Sequence, residues 1–301
     1  MWQNLLLSKT IMIVSSYKGI AWFIMSLIIS ASNDITLKYL SFTLPTWEMV
    51  FFRFFFGTIT LIPFIFFYGI KSIISSKPLL HVVRGLILAF AISFWIKGLS
   101  VNNIVVATVM TFTIPIFILI FSSIMLKEKI SLTLWILSIT GMIGIITILN
   151  PKEIKFNINA FSLIFAAGLF GLLDIINKQH AIKESILSIL FYSSLVTTTI
   201  SMIFLILEWK NPSVNDLILL LIVGSGSNGI LFCLLKSYQL ISFPSIVPLR
   251  FLELPLSMML GNLIFHETPK IYFFLGTIMI IFSTCYICNI SPIQNQSSKV
   301  L

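Results

Sequence analysis

Apolar residues in this chain come in long, nearly uncharged stretches, with no helical or strand periodicity, and ten such stretches follow one another from end to end. About 20 consecutive apolar residues are needed for a helix to cross the ~30 Å hydrocarbon core of a bilayer. On that criterion the first five spans run Gly19 to Leu40, Pro45 to Tyr68, Leu79 to Gly98, Ile104 to Leu126 and Ser131 to Leu149. The next five run Ala160 to Gln179, Ser185 to Leu207, Asp216 to Leu240, Pro244 to Phe265 and Lys270 to Asn289. Short tails, 1–18 and 290–301, flank the set.

The polar positions inside these stretches repeat. Asp34 and Lys38 recur as Asp174 and Lys178, Lys97 as Lys236, Pro115 as Pro255 and Glu128 as Glu267, all at offsets of 139 or 140 residues. An odd number of spans per copy makes the second copy enter the membrane from the opposite face, which is the inverted repeat of many secondary transporters. The expected fold is therefore all-α: a polytopic membrane protein of ten transmembrane helices, in two inverted five-helix repeats, 19–149 and 160–289, joined by a linker over 150–159. Neither half could bury its polar groups alone, so the two are expected to pack as one bundle.

Composition strengthens this picture. The chain is 58% hydrophobic and 10% charged, with a mean hydropathy of +1.06, far from a soluble domain. The net charge of +9 is scattered through spans and short loops, which excludes a nucleic-acid partner and leaves membrane lipid and a small-molecule substrate. With a cytoplasmic N-terminus, Lys9, Lys18, Lys71, Lys77, Arg84, Lys127, Lys129, Lys183 and Lys299 lie inside, against Lys152, Lys155, Lys210 and Lys270 outside. This bias predicts that both termini are cytoplasmic. Lysine and asparagine richness suggests an AT-rich bacterial genome and hence a bacterial inner membrane.

Charge within the spans marks the candidate chemistry, because Asp, Lys or Arg at mid-bilayer costs about 2.5–3.5 kcal/mol and persists where it faces protein or water. Asp34 and Lys38 share a helix face at i and i+4, as do Asp174 and Lys178, and each pair can join internally. Inversion puts the first pair toward the outside and the second toward the cytoplasm, where two alternating gates would stand; anchoring of each helix to a neighbour is the alternative. Lys97 and Lys236, beside Trp95 and Tyr238, are read either as snorkelling or aspartate-paired lysines, or as substrate contacts. Arg250 and Glu253, one turn apart in a span with Pro244, Pro248 and Pro255, form a charge pair without a counterpart at Met110 and Thr113. Arg53 sits among phenylalanines and needs a carboxylate or an aromatic face. Glu48 is expected to be solvated at the outer end.

The run from Gly224 to Gly229 lacks the ending of a phosphate-binding loop and fits close helix packing, with a pocket wall as the alternative. Gly141, Gly144, Gly168 and Gly171 fit the same packing. Cys285-x-x-Cys288 has no second cysteine pair or nearby histidine, so neither a metal site nor a cofactor is expected. No hydrolase or metalloprotease motif occurs, and the chain is not expected to be an enzyme.

Pro115 followed by Leu126-Lys127-Glu128-Lys129, and Pro255 followed by Phe265-His266-Glu267-Thr268, resemble the proline and end-of-span glutamate of EamA-type repeats in the drug/metabolite transporter superfamily. Within it the whole chain is similar to transporters that take up S-adenosylmethionine in intracellular bacteria. The resemblance implies a solute transporter, with cationic groups of the substrate approaching Glu253 or Asp34, its carboxylate Arg250, and adenine stacking on Trp95 or Tyr238. Exchange for S-adenosylhomocysteine, carriage of amino acids or other metabolites in either direction, and a non-transporting scaffold or lipid-modifying enzyme are the further readings.

Overall fold

A computed structural model describes residues 2–102, 110, 113–127, 130–149, 160–181, 183–206, 209–241 and 247–253, with 275 and 278–279 near the C-terminus. The linker at 150–159, nearly all of the tenth span, the later part of the ninth, the C-terminal tail, Glu128, Pro255, His266, Glu267, Cys285 and Cys288 lie outside the described residues. The regular secondary structure among the described residues is helical, with no strand.

Eight helices follow in order: α1 (Trp2–Leu40), α2 (Thr46–Tyr68), α3 (Pro78–Val101), α4 (Ile114–Phe121), α5 (Leu132–Leu149), α6 (Ala160–Ala181), α7 (Ile186–Leu205) and α8 (Val214–Leu240). Six of them, among the described residues, contain a segment long and apolar enough to cross a membrane: α1, α2, α3, α6, α7 and α8. Their ends fall within a few residues of the sequence expectation except at the N-terminus. There α1 continues back to Trp2, so the expected tail is helical and continuous with the first span.

Local chemistry sets the ends. Pro78 opens α3, where its missing N–H costs nothing. Ser213 and Asp216 form a reciprocal capping box at the start of α8. After α4 the chain passes through a π-helical turn, Ser122–Leu126, and leaves it at Lys127, which has a φ of 53°. The described part of the ninth span contains a 3-10 helix, Val247–Leu252, in the segment that combines Pro248 with Arg250 and Glu253.

Helices from the two halves of the chain pack on each other. Helix α1 lies along α8, α3 along α6, and α2 along both α7 and α8, while α4 rests on α6. The α2–α8 contact explains the small-residue run. A Cβ on Gly224 would sit 2.5 Å from the Arg53 carbonyl oxygen and 2.9 Å from the Gly57 nitrogen, so only glycine admits this approach. Asn228 then donates to the Gly57 carbonyl oxygen at 2.7 Å, and Asn33 of α1 to that of Val223 at 3.1 Å. The packing reading of Gly224–Gly229 therefore holds, with the run lying inside α8.

Candidate functional site

Helices α1, α2, α3, α4, α6 and α8, with Arg250 and Glu253 of the ninth span, line a cavity of about 160 Å³. Its lining is mostly apolar and aromatic, including Phe23, Trp95 and Phe170, with the rings of Trp95 and Phe170 edge to face at 6.3 Å. Into it converge three carboxylates, Asp34, Asp174 and Glu253, and two guanidiniums, Arg53 and Arg250. Mixed charge in an aromatic pocket suits a ligand that is itself both charged and aromatic.

The first correction concerns the Asp-x-x-x-Lys pairs. Lys38 turns away from Asp34 and donates to the carbonyl oxygens at the end of α3, those of Leu99, Ser100 at 3.4 Å and Asn102 at 3.0 Å. Lys178 does the same at the end of α8, donating to the carbonyls of Tyr238 and, at 2.8 Å, Ile241. The last carbonyls of a helix have no intrahelical acceptor role left to fill and carry its negative dipole end. An ammonium satisfies several of them at once, and in a low-dielectric bundle this competes well with pairing to one carboxylate.

The aspartates are thereby free to find other partners. Asp34 accepts a hydrogen bond from the Trp95 indole N–H at 3.1 Å. Asp174 accepts one from the Tyr238 hydroxyl at 2.8 Å and forms an ion pair with Arg250. Arg250, expected to pair with Glu253, pairs instead across the bundle with Asp174 of α6, whereas Glu253 lines the cavity with Ser30. Among the described residues no basic side chain stands within 4 Å of Glu253.

Trp95 lines the cavity, and Tyr238, fully buried in the core beside Phe23 and Leu235, supports it from behind. Lys97 is exposed and Lys236 stands 5.8 Å from the Phe232 ring centre; neither contributes to the cavity wall. Among the described residues neither pairs with an aspartate.

Three polar residues have roles that the sequence reading assigned differently or only in part. Arg53 is 6% exposed, donates from Nε to the Ser227 hydroxyl at 2.6 Å and keeps a buried Nη1 without a partner. Its guanidinium also lies 5.5 Å from the Phe54 ring centre. The phenylalanine run around it was a usable signal. Arg84, counted with the inner loops, is buried in α3 and donates to Asn177 Oδ1 at 3.0 and 2.7 Å and to Ser193 at 3.0 Å, locking α3 to α6 and α7. Glu48, expected to be solvated, is fully buried and accepts from the Lys210 backbone N–H at 3.1 Å. Both lie close enough to a helix end for hydropathy to misplace them, because neighbouring helices cover them.

The sequence pattern of the EamA-like transporter family matches residues 17–150 and again 158–288. The chain is 41% identical, over 93% of its length and 95% of the relative's, to an S-adenosylmethionine uptake transporter of Rickettsia prowazekii. It is 40% identical to one of Rickettsia bellii, over 89% of this chain and 92% of that one. A riboflavin transporter of Vibrio cholerae is more distant, at 23% identity over 90% of this chain and 92% of that relative. A solved crystal structure aligns with a TM-score of 0.72 over 94% of this chain and 98% of the other at 15% identity, a likeness of fold.

Proposed function

The chain belongs to the EamA-like transporter family, and from that premise we propose that it takes up S-adenosylmethionine across a bacterial inner membrane by alternating access. The observation that carries the substrate is the 41% identity over nearly the whole length to a transporter of that substrate. The cavity supports it independently. S-adenosylmethionine brings a sulfonium, an ammonium, a carboxylate and an adenine, and the site presents carboxylates, guanidiniums and aromatic rings. It is a transporter and not an enzyme.

The finer mechanism is an inverted pair of five-helix repeats, 19–149 and 160–289, with both termini in the cytoplasm and lipid around the bundle. The cross-packing of α1 on α8 and α3 on α6 supports it, because the repeat equates α1 with α6 and α3 with α8. So does the pair of lysine caps, which join equivalent helix ends at equivalent positions. Rocking of one repeat against the other would expose the cavity to each side in turn. The Asp174–Arg250–Tyr238 contact would open and close toward the cytoplasm, and the surroundings of Asp34 toward the outside. S-adenosylhomocysteine is the proposed counter-substrate.

The test is uptake of labelled S-adenosylmethionine into sealed proteoliposomes, with S-adenosylhomocysteine preloaded or absent. Saturable uptake establishes the substrate, and stimulation by preloading establishes exchange. Failure of correctly inserted protein to take up the label under either condition would end the reading. The gating roles fail separately if Asp34→Asn and Asp174→Asn proteins, inserted normally, both transport at the unmodified rate.

A further inference from the structure

Internal pairing leaves the five charged groups of the cavity unequal. Asp174 and Arg250 neutralise each other, so a ligand that approaches either must compete with an ion pair already made. Arg53 has no carboxylate within 4 Å among the described residues, and its Nη1 is buried without a hydrogen-bond partner. Arg250 also has an unpartnered atom, Nε, but the charge of that guanidinium is already balanced by Asp174. A buried guanidinium N–H left unmade costs its full desolvation, which a bound carboxylate would recover. Ser227 fixes the Arg53 side chain from Nε, holding it in place for such a partner.

The remaining groups are two carboxylates. Asp34, on α1, and Arg53, on α2, both line the cavity. An α-amino acid carries ammonium and carboxylate on one carbon, so the residues that read it must open on one cavity, as these two do. Glu253 shares the cavity with Asp34 and Ser30, and among the described residues no basic side chain stands within 4 Å of it. A sulfonium has no N–H to donate and can be held only by Coulomb attraction and close packing, which is what a carboxylate without an ion partner offers in a low-dielectric site. With all groups ionised, three carboxylates face two guanidiniums, an excess of one negative charge. S-adenosylmethionine carries one net positive charge and its thioether product S-adenosylhomocysteine carries none.

Resting on the S-adenosylmethionine reading, we propose that Arg53 and Asp34 hold the amino-acid head of the substrate and that Glu253 reads the sulfonium, making Glu253 the residue that distinguishes the methylated substrate from its neutral thioether. Its position in the first half is occupied by Thr113, so this discrimination belongs to one half of the chain only.

The experiment is competition for labelled S-adenosylmethionine on purified full-length protein, using unlabelled S-adenosylmethionine, S-adenosylhomocysteine and decarboxylated S-adenosylmethionine. Glu253→Gln is expected to weaken S-adenosylmethionine roughly tenfold or more while S-adenosylhomocysteine changes less than about twofold, closing the gap between them. Glu253→Asp, which keeps the charge, restores most of the gap. Arg53→Gln is expected to weaken both carboxylate-bearing ligands and leave the decarboxylated one unchanged. Size-exclusion profiles matching the unmodified protein qualify each variant. Equal weakening of charged and neutral ligands in Glu253→Gln, or equal loss of the decarboxylated ligand in Arg53→Gln, would overturn the assignment with transport of S-adenosylmethionine intact. Absence of binding by the unmodified protein would overturn the substrate reading beneath it.

Discussion

Asp34 with Lys38, and Asp174 with Lys178, occupy equivalent places in the two halves of the chain, yet only the lysines are used alike. Each lysine closes the carbonyl end of a helix from elsewhere in the chain, α3 for Lys38 and α8 for Lys178. The aspartates diverge: Asp34 is held by an indole N–H, whereas Asp174 is locked by a guanidinium and a phenol. A helix end buried in a bilayer has the same unmet carbonyls wherever it occurs, so that solution is the same in both halves. The cavity carboxylates have no such common demand, and the two halves surround them with different donors.

The comparison can be broken most sharply at the carboxylates. Asp174→Asn leaves Arg250 buried without its counter-charge and is expected to cost about 3–5 kcal/mol, while Asp34→Asn, whose amide oxygen still accepts from Trp95, is expected to cost about 0.5–1.5 kcal/mol. Equilibrium unfolding of both variants in mixed micelles measures this, and equal losses would mean the two sites are energetically the same. At the lysines the expectation reverses. Lys38→Met and Lys178→Met should each cost about 1–3 kcal/mol by stranding carbonyls, to within about 1 kcal/mol of each other; a clear inequality in the same assay would show that the caps have diverged too.

Between the halves, Gly224→Ala places a methyl 2.5 Å from the Arg53 carbonyl and should cost about 1–3 kcal/mol by overpacking. Because it pushes on the backbone of Arg53, it should also raise the Michaelis constant for uptake, whereas a change in thermal midpoint alone would detach Arg53 from substrate binding. The smallest effect is expected outside the membrane. Glu184 accepts from the Ser76 backbone N–H at 3.3 Å and from its hydroxyl at 2.8 Å, tying the α6–α7 loop to the α2–α3 loop. Partial desolvation pushes its carboxyl up, but hydrogen bonds from Ser76 and Ser75 outweigh this and hold it below the usual range. A carboxyl so depressed stabilises the fold at neutral pH and loses that contribution as pH falls through its folded value. Hydrogen exchange at residues 72–76 should therefore quicken on acidification in the unmodified protein and much less in Glu184→Gln.

Taken alone, the sequence determined that this is a polytopic helical membrane protein, where most helices start and stop, and where charge lies within the spans. The reason is that hydropathy and the cost of intramembrane charge act on each segment separately, whatever its neighbours. It also carried the family resemblance and the close packing at Gly224–Gly229. Partnership was decided only by tertiary structure. The i and i+4 spacing of Asp34 and Lys38 permits a pair, but the open carbonyls of α3 offered the lysine a better one. The same holds for Arg250, drawn three helices back in sequence to Asp174 in preference to Glu253 one turn away. Arg84 and Glu48 were misplaced because burial near a helix end depends on which other helices stand beside it, and no local pattern in the chain encodes that.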